Sequence, residues 1–510
     1  MTARSRRGNG FPDSALRMSE RIIRLLMVCC FPMPRRVTHD RARAAGRRLL
    51  CRCAIILAVC TSGCAEMDPN AFVIRAVTVL PMTGAGAIAN ATVVVRDGRI
   101  ASIDSTGATS DVRGLRVVDG TGKFLVPGLI EMHAHLSKTR ASAMGLFVRN
   151  GVTTVRDMGG DHQELLRWRT EVRSGTRLGP RILLAGPYLE SQANIERMRA
   201  DPPEERVEPF ERARIGIGSP EHARQVIDSL AALELDYLKI RTVADRETYL
   251  AINQAADAHG LDVVGHVTGL PVELVLEAGQ DGVEHFFYPT LDDRTRDERL
   301  AIWREFAERG VAIVPTLVTF QNATLGDPDR LRAIVTDSLG QIDPRRRYLS
   351  RFLTLDWREQ ALELVNDEDR AIFENILHST IRNTREMHEA GMDVLAGSDV
   401  AVLNIYPGSS LHEELGILVD SIGMSPMEAL SRATARSAAF LGIADSVGTV
   451  EAGMVADLIL VDGDPRDDIR NLSRISAVIL RGRLFDSLAL DALLQAIDTA
   501  TDRRVNDWRR

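Results

Sequence analysis

The stretch Val126-Pro127-Gly128-Leu129-Ile130-Glu131-Met132-His133-Ala134-His135 is a short apolar run that ends on two histidines one residue apart. In an extended strand, residues i and i+2 share a face, so both imidazoles can reach one ion. Similar apolar runs recur downstream, each followed by a segment of helical periodicity. Counting Phe124–Pro127 as the first, they are Val152–Met158, Arg181–Ala185, Tyr237–Ile240, Val263–Val267, Val283–Phe287, Ala312–Leu317 and Val394–Ser398. Helix-like segments such as Glu221–Glu234 and Arg246–His259 lie between them. Eight strand–helix units over ~300 residues is the arithmetic of an α/β protein of the (β/α)8 TIM barrel class. An open doubly wound sheet is the alternative, but no Gly-x-Gly-x-x-Gly follows any of the runs.

Barrel enzymes place their chemistry at the C-terminal ends of strands. The first run leads to His133 and His135, the fourth to Lys239, the fifth to His266, the sixth to His285 and the eighth to Asp399. An unpaired charge beside an apolar run is costly, so packing alone explains such a set poorly. Arg241 shares the face of Lys239 and lies two residues nearer the mouth. Its guanidinium can clamp a substrate carboxylate, or close a rim salt bridge. His412, just past the last strand, is a further candidate for lining the site.

These residues, in this order, resemble the amidohydrolase superfamily, most nearly its imidazolonepropionase-like and Xaa-Pro dipeptidase-like branch. The resemblance runs from about Phe72 to Phe485. Besides the opening stretch it is carried by Gly151-Val152-Thr153-Thr154-Val155-Arg156-Asp157, Gly408-Ser409-Ser410-Leu411-His412-Glu413-Glu414-Leu415 and Gly453-Met454-Val455-Ala456-Asp457-Leu458. It implies two divalent metal ions, one held by His133, His135 and Asp399 and the other by His266 and His285. Lys239, carboxylated by carbon dioxide, would bridge them. Zn2+ suits these donors, with Mn2+ and Co2+ as alternatives. The implied reaction is hydrolysis of a C–N bond, amide or lactam, by a metal-bridging hydroxide, with Asp399 as the catalytic proton carrier. A dipeptide or N-acyl amino acid is the expected small-molecule substrate. An imidazolonepropionase-like cyclic amide, an ester or phosphotriester, and a non-catalytic binding barrel are the other readings.

β-type patterns also stand at both ends of this region. Phe72–Val79 and Ala91–Val95 are rich in β-formers, Asp97-Gly98 marks a hairpin, and Ala456–Val461 and Ile475–Phe485 return to the pattern. The expected organisation is therefore a β-sandwich built from residues 66–126 and 441–487. The barrel spans 127–440, and a polar tail covers 488–510.

Residues 1–64 differ from the rest. They carry 13 Arg and no Lys against 3 acids, whereas the remainder carries 50 basic and 67 acidic residues. So acidic a body would repel a phosphate backbone, which argues against nucleic acid as a partner. All six cysteines (Cys29, Cys30, Cys51, Cys53, Cys60 and Cys64) fall in the leader, so disulfides and thiolate metal sites are excluded from the body. Arg47, Arg48 and Arg52 precede the uncharged run Cys53–Gly63 and then Cys64, the parts of an export signal. That run is too short to span a membrane. It resembles a bacterial lipoprotein signal, with Cys64 as lipid anchor and the mature protein periplasmic or membrane-anchored. Ordinary cleavage after Ala65 and a basic cytosolic arm are the competing readings. The Arg-rich length before the run suggests a start at Met18, Met27 or Met33. Nothing in the sequence bears on oligomeric state.

Overall fold

The computed structural model describes residues 71–105, 112, 114–200, 210–266, 269–285, 291, 293–324, 328–337, 339–363 and 367–506. The basic leader and Cys64 lie outside them. Strands of two kinds occur. Those from the ends of the chain alternate or mix buried and exposed residues, as β1 (Phe72–Val79), β2 (Ile88–Arg96), β3 (Arg99–Asp104) and β4 (Arg116–Asp119) do. With β5 (Phe124–Pro127), β15 (Leu458–Val461), β16 (Ile475–Leu480) and β17 (Arg483–Asp486) they make one eight-stranded sheet, in the order β17-β16-β15-β5-β1-β2-β3 with β4 also on β1. The β2–β3 hairpin turns at Asp97-Gly98, whose φ values of 52° and 76° are those of a type I′ turn. The inward residues of this sheet, Ile74, Val93, Leu125, Leu458 and Ile479 among them, share one core.

The middle of the chain supplies β6 (Leu129–Ala134), β7 (Val152–Asp157), β8 (Arg181–Leu184), β9 (Tyr188–Ser191) and β10 (Arg214–Ile217). It continues with β11 (Leu238–Ile240), β12 (Val263–Gly265), β13 (Gly282–Glu284) and β14 (Ala312–Val314). Of these, β6, β7, β9 and β11 to β14 are buried throughout, as parallel strands covered on both faces must be. They form two parallel sheets, β6-β7-β8 and β10-β9-β11-β12-β13-β14. Helices pack outside them, with the starts that turn chemistry predicts. Ser219 caps Pro220–Leu230, Asp245 caps Arg246–Ala258, and Thr295 forms a capping box with Glu298 ahead of Arg296–Glu308. The fold is thus mixed α/β with parallel sheets and a second sheet made from both chain ends.

Three elements differ from the sequence reading. Phe124–Pro127 is not the first of the parallel strands: β5 pairs with β1 and, antiparallel, with β15, and β6 takes the place assigned to it. The apolar run continues from one sheet into the other, so hydrophobicity alone does not show where the crossing lies. Two strands absent from the eight runs, β9 and β10, follow Arg181–Ala185 and pair in parallel. Val394–Ser398 forms no ladder. It joins its neighbours through single bridges, Ile313 with Val394 and Ala134 with Val400. Hydrogen bonds Leu395 N to Ile313 O (2.8 Å) and Met132 N to Ala396 O (3.1 Å) nonetheless lay it between β14 and β6.

Between β14 and Val394 the chain carries the helices Leu317–Thr324, Pro328–Thr336, Arg351–Glu363 and Asp367–Glu389. Their side chains Phe320, Leu353 and Trp357 share a core with Ala401, Leu403 and Tyr406, in the loop that follows Asp399. Trp357 Nε1 donates to Ala401 O at 3.0 Å, tying this insertion to the mouth of the parallel sheets. The expected polar tail continues as the helix Ser487–Asn506. Among the described residues no helix is long and apolar enough to cross a membrane.

Candidate active site

His133 points inward from β6, and its neighbour segment is held close by absence of a side chain. A Cβ on Gly397 would stand 2.8 Å from His133 N. Glu131 pins the two segments together, accepting from His133 N (3.0 Å), Ser398 N (2.8 Å) and Ser398 Oγ (2.7 Å). Lys239 lies on β11, and Gly265 separates it from His266. That glycine has φ +141°, and a Cβ there would meet Ile240 O at 2.0 Å. His285, Thr316 and Asp399 take left-handed φ values of 51°, 48° and 57°, just past β13, β14 and Val394–Ser398. Such backbone is uncommon for residues with a Cβ and clusters where function holds it in place.

These turns bring the sequence-predicted residues together. His135, Lys239, His266, His285, Asp399 and Arg241 line one pocket with Lys138, Tyr188 and Val402. His133 lies against it, its ring centroid 5.4 Å from that of His135 and 4.6 Å from that of His285. The ring of His266 is 5.2 Å from that of His285. The free space inside is about 20 Å³, little more than one water molecule or ion requires.

The two oxygens of Asp399 divide the ring nitrogens. Oδ1 stands 3.4 Å from His133 Nε2 and 3.2 Å from His135 Nε2, and Oδ2 stands 3.6 Å from His285 Nε2. Ligand atoms of His133, His285 and Asp399 all lie within 4.8 Å of one another. Each of three imidazoles is steadied through its far nitrogen. His133 Nδ1 donates to Glu284 Oε2 (2.7 Å), Tyr188 Oη lies 2.9 Å from His135 Nδ1, and Thr316 Oγ1 lies 2.5 Å from His285 Nδ1. By contrast His133 Nε2, Lys239 Nζ and Asp399 Oδ1 are buried with no hydrogen-bond partner among the described residues.

Burial dominates the charges. It holds the imidazoles of His133, His135 and His266 well below their ordinary range and His285 down to about 3, so all four are neutral bases at neutral pH. Burial pushes Lys239 down to about 7, against the pull of Glu284 and Asp399, and pushes Asp399 up. Neutral imidazoles and a carboxylate are the donor set a divalent cation needs. The distances fit as well. Two ligands ~2.1 Å from one tetrahedral ion are ~3.4 Å apart, close to the Asp399–histidine separations seen here.

Arg241 reaches the pocket and is oriented by Glu190 Oε1 at 3.3 Å, with its guanidinium 5.5 Å from the Tyr188 ring centre. His412 does not reach it. It stands on the helix Ser409–Ile417, where its Nε2 donates to Asn150 O at 2.9 Å. Sequence reasoning missed Glu284, Tyr188, Thr316, Glu131 and Lys138. Glu131 and Glu284 carried a signal, each as an acid inside an apolar run.

A mixed α/β body whose parallel strands lead to converging histidines, a lysine and an aspartate defines a class of protein with a candidate metal site. The chain belongs to the amidohydrolase family, hydrolases of carbon–nitrogen bonds, whose model matches residues 124–485. A solved structure of a putative prolidase from Bifidobacterium longum is 27% identical, with a TM-score of 0.63 over 84% of this chain and 98% of that one. The 5-methylthioadenosine/S-adenosylhomocysteine deaminase of Symbiobacterium thermophilum is 24% identical over 80% of this chain and 89% of its own length. The imidazolonepropionase of Thermoplasma volcanium is 31% identical over 93 residues, 18% of this chain. The chain spans less than a quarter of the length of several curated relatives, 16%, 22% and 10% of three of them.

Proposed function

We propose that this chain is a metal-dependent amidohydrolase that cleaves the C–N bond of a dipeptide or N-acyl amino acid. The observation that carries the reading is the set of orphaned buried atoms, His133 Nε2, Lys239 Nζ and Asp399 Oδ1, facing one small space. Unpaired polar atoms in a core cost ~1–3 kcal/mol each, and an ion that they share removes that cost. His133, His135 and Asp399 would hold one divalent ion, Zn2+ by the chemistry of the donors, and His266 and His285 a second. A carbamate on Lys239 would add anionic oxygens between them, where an ammonium would repel both. When bound, such ions polarise a substrate carbonyl and lower the pKa of water.

The chain's own groups supply the rest. Asp399 accepts the proton of the attacking water and passes it to the departing nitrogen. Arg241 and Lys138 give the pocket two cationic side chains, and a bidentate guanidinium suits the carboxylate that a dipeptide or N-acyl amino acid carries. The neighbouring prolidase, aligned over nearly its whole length, favours this substrate class over lactams. We further infer that residues 127–440 close a (β/α)8 barrel, with Val394–Ser398 as its eighth strand. Residues 66–126 and 441–487 would fold into a sandwich. Export, with Cys64 as a lipid anchor, is proposed from the leader's sequence alone.

The test is metal analysis of the purified protein, followed by a screen of dipeptides, N-acyl amino acids, lactams and phosphotriesters with zinc-loaded enzyme. Bound zinc and release of an amine from the first two classes are expected. Absence of metal after growth with zinc would overturn the catalytic reading, and turnover confined to lactams or phosphotriesters would overturn the substrate class.

A further inference from the structure

One of the three steadied imidazoles is held differently from the others. His135 and His285 meet hydroxyls, of Tyr188 and Thr316, whereas His133 meets a carboxylate. Glu284 and His133 are sealed from water, their side chains 0% and 1% exposed. The second oxygen of Glu284 pairs with Arg156 Nη2, and Arg156 is equally buried. Arg156 Nε donates at 2.8 Å to the carbonyl of Met132, the residue before His133. Its guanidinium sits 5.6 Å from the Tyr237 ring centre and 5.5 Å from that of Phe440. His133 and Arg156 come from the paired strands β6 and β7 and Glu284 from β13 in the other parallel sheet, so the chain of contacts links the two sheets.

We propose that Glu284 and Arg156 are positioning residues that determine how His133 presents its Nε2 to a metal ion. This rests on the reading of His133 as a ligand. A carboxylate only accepts, so the proton of the ring sits on Nδ1 and the lone pair on Nε2. That nitrogen is the one without a partner, 3.4 Å from Asp399 Oδ1. A carboxylate behind the ring also makes it a stronger donor than a hydroxyl does. Arg156 supplies the countercharge that a fully buried carboxylate requires, and its bond to Met132 O fixes the strand beside the ring. Neither residue touches the reacting atoms.

The test is equilibrium dialysis of the metal-free full chain against Zn2+, with kcat and KM measured at saturating zinc. Glu284→Gln is expected to weaken zinc binding ~10–100-fold and to lower kcat more than KM. Tyr188→Phe, at a hydroxyl partner, is expected to weaken it less. His133→Ala separates the two ideas. If it binds zinc as the wild type does, the ligand reading fails. If it loses zinc while a folded Glu284→Gln keeps wild-type affinity, the positioning role fails alone. Should Glu284→Gln misfold because Arg156 is left uncompensated, the double variant Glu284→Gln/Arg156→Met removes that charge. Reduced zinc affinity in a folded double variant supports the proposal. Wild-type affinity, or failure to fold even then, makes the pair structural only and overturns it.

Discussion

Two buried carboxylates in the same body show opposite treatment. Glu190, at the end of β9, has every oxygen engaged: Oε1 accepts from Arg214 Nη1 (2.6 Å) and Arg241 Nη1 (3.3 Å), and Oε2 from Thr242 Oγ1 (2.6 Å) and Asn194 Nδ2 (2.7 Å). Burial would raise its pKa, but Arg241, Arg214 and the hydrogen bonds outweigh it and hold the carboxyl below its usual range. Among the described residues Asp399 has ring nitrogens at 3.2–3.6 Å and no hydrogen-bond partner for Oδ1, and burial pushes its pKa up against the pull of His285, Lys138 and Lys239. A closed cluster holds a fold together, while an open one awaits something from outside. The difference predicts that substitution at the two sites will damage different properties.

The largest effect is expected at the open site. Asp399→Asn should lower kcat by ~10²–10⁴-fold, the range for a lost proton carrier, without lowering the Tm. Turnover within tenfold of wild type would remove Asp399 from the mechanism. Glu190→Gln should do the reverse. It removes the carboxylate charge that faces two buried guanidinium groups, which costs ~3–5 kcal/mol and reads as a lower Tm and denaturant midpoint. A folded, equally stable Glu190→Gln would erase the contrast.

The open site was legible in the sequence because each of its candidate residues stands at the end of an apolar run, where period-two spacing and strand order can be counted. His133, His135, Lys239, His266, His285 and Asp399 all reach one locality. The closed one was not. Glu190 gathers Asn194, Arg214, Arg241 and Thr242 from separate elements, and nothing in a one-dimensional pattern links them. For the same reason Glu284, 151 residues from His133, went unread as its partner. The positive φ of His285 and Asp399 has no sequence marker either, since glycine would be the usual sign. Strand boundaries failed where burial is continuous, as between β5 and β6.

Arg241 belongs to both regions, which makes it the sharper probe. It touches Glu190 and lines the pocket, yet Glu190 keeps Arg214, Thr242 and Asn194 without it. Arg241→Met should therefore spare most of the stability. Losing a charged hydrogen bond of ~1.5–3 kcal/mol should raise KM for carboxylate-bearing substrates ~10–100-fold. Their amides should be unaffected. If acids and amides change alike, Arg241 is part of the closed cluster only.

The smallest effect belongs to a residue that is half closed. His412 donates through Nε2 to Asn150 O, while its Nδ1 is buried without a partner. Burial lowers its pKa below the ordinary 6.5, although the bond to Asn150 opposes the shift. The folded protein therefore leaves the ring neutral at a pH where the unfolded chain protonates it. Below about 6.5 the unfolded state binds more protons, so stability is present above that pH and is lost as pH falls toward the folded value. Gln at this position can still donate to Asn150 O but cannot titrate. The Tm of His412→Gln should accordingly fall less steeply than that of wild type as pH drops from 7 toward 5. Parallel slopes in the two proteins would mean that the ring is solvated after all and contributes nothing to acid sensitivity.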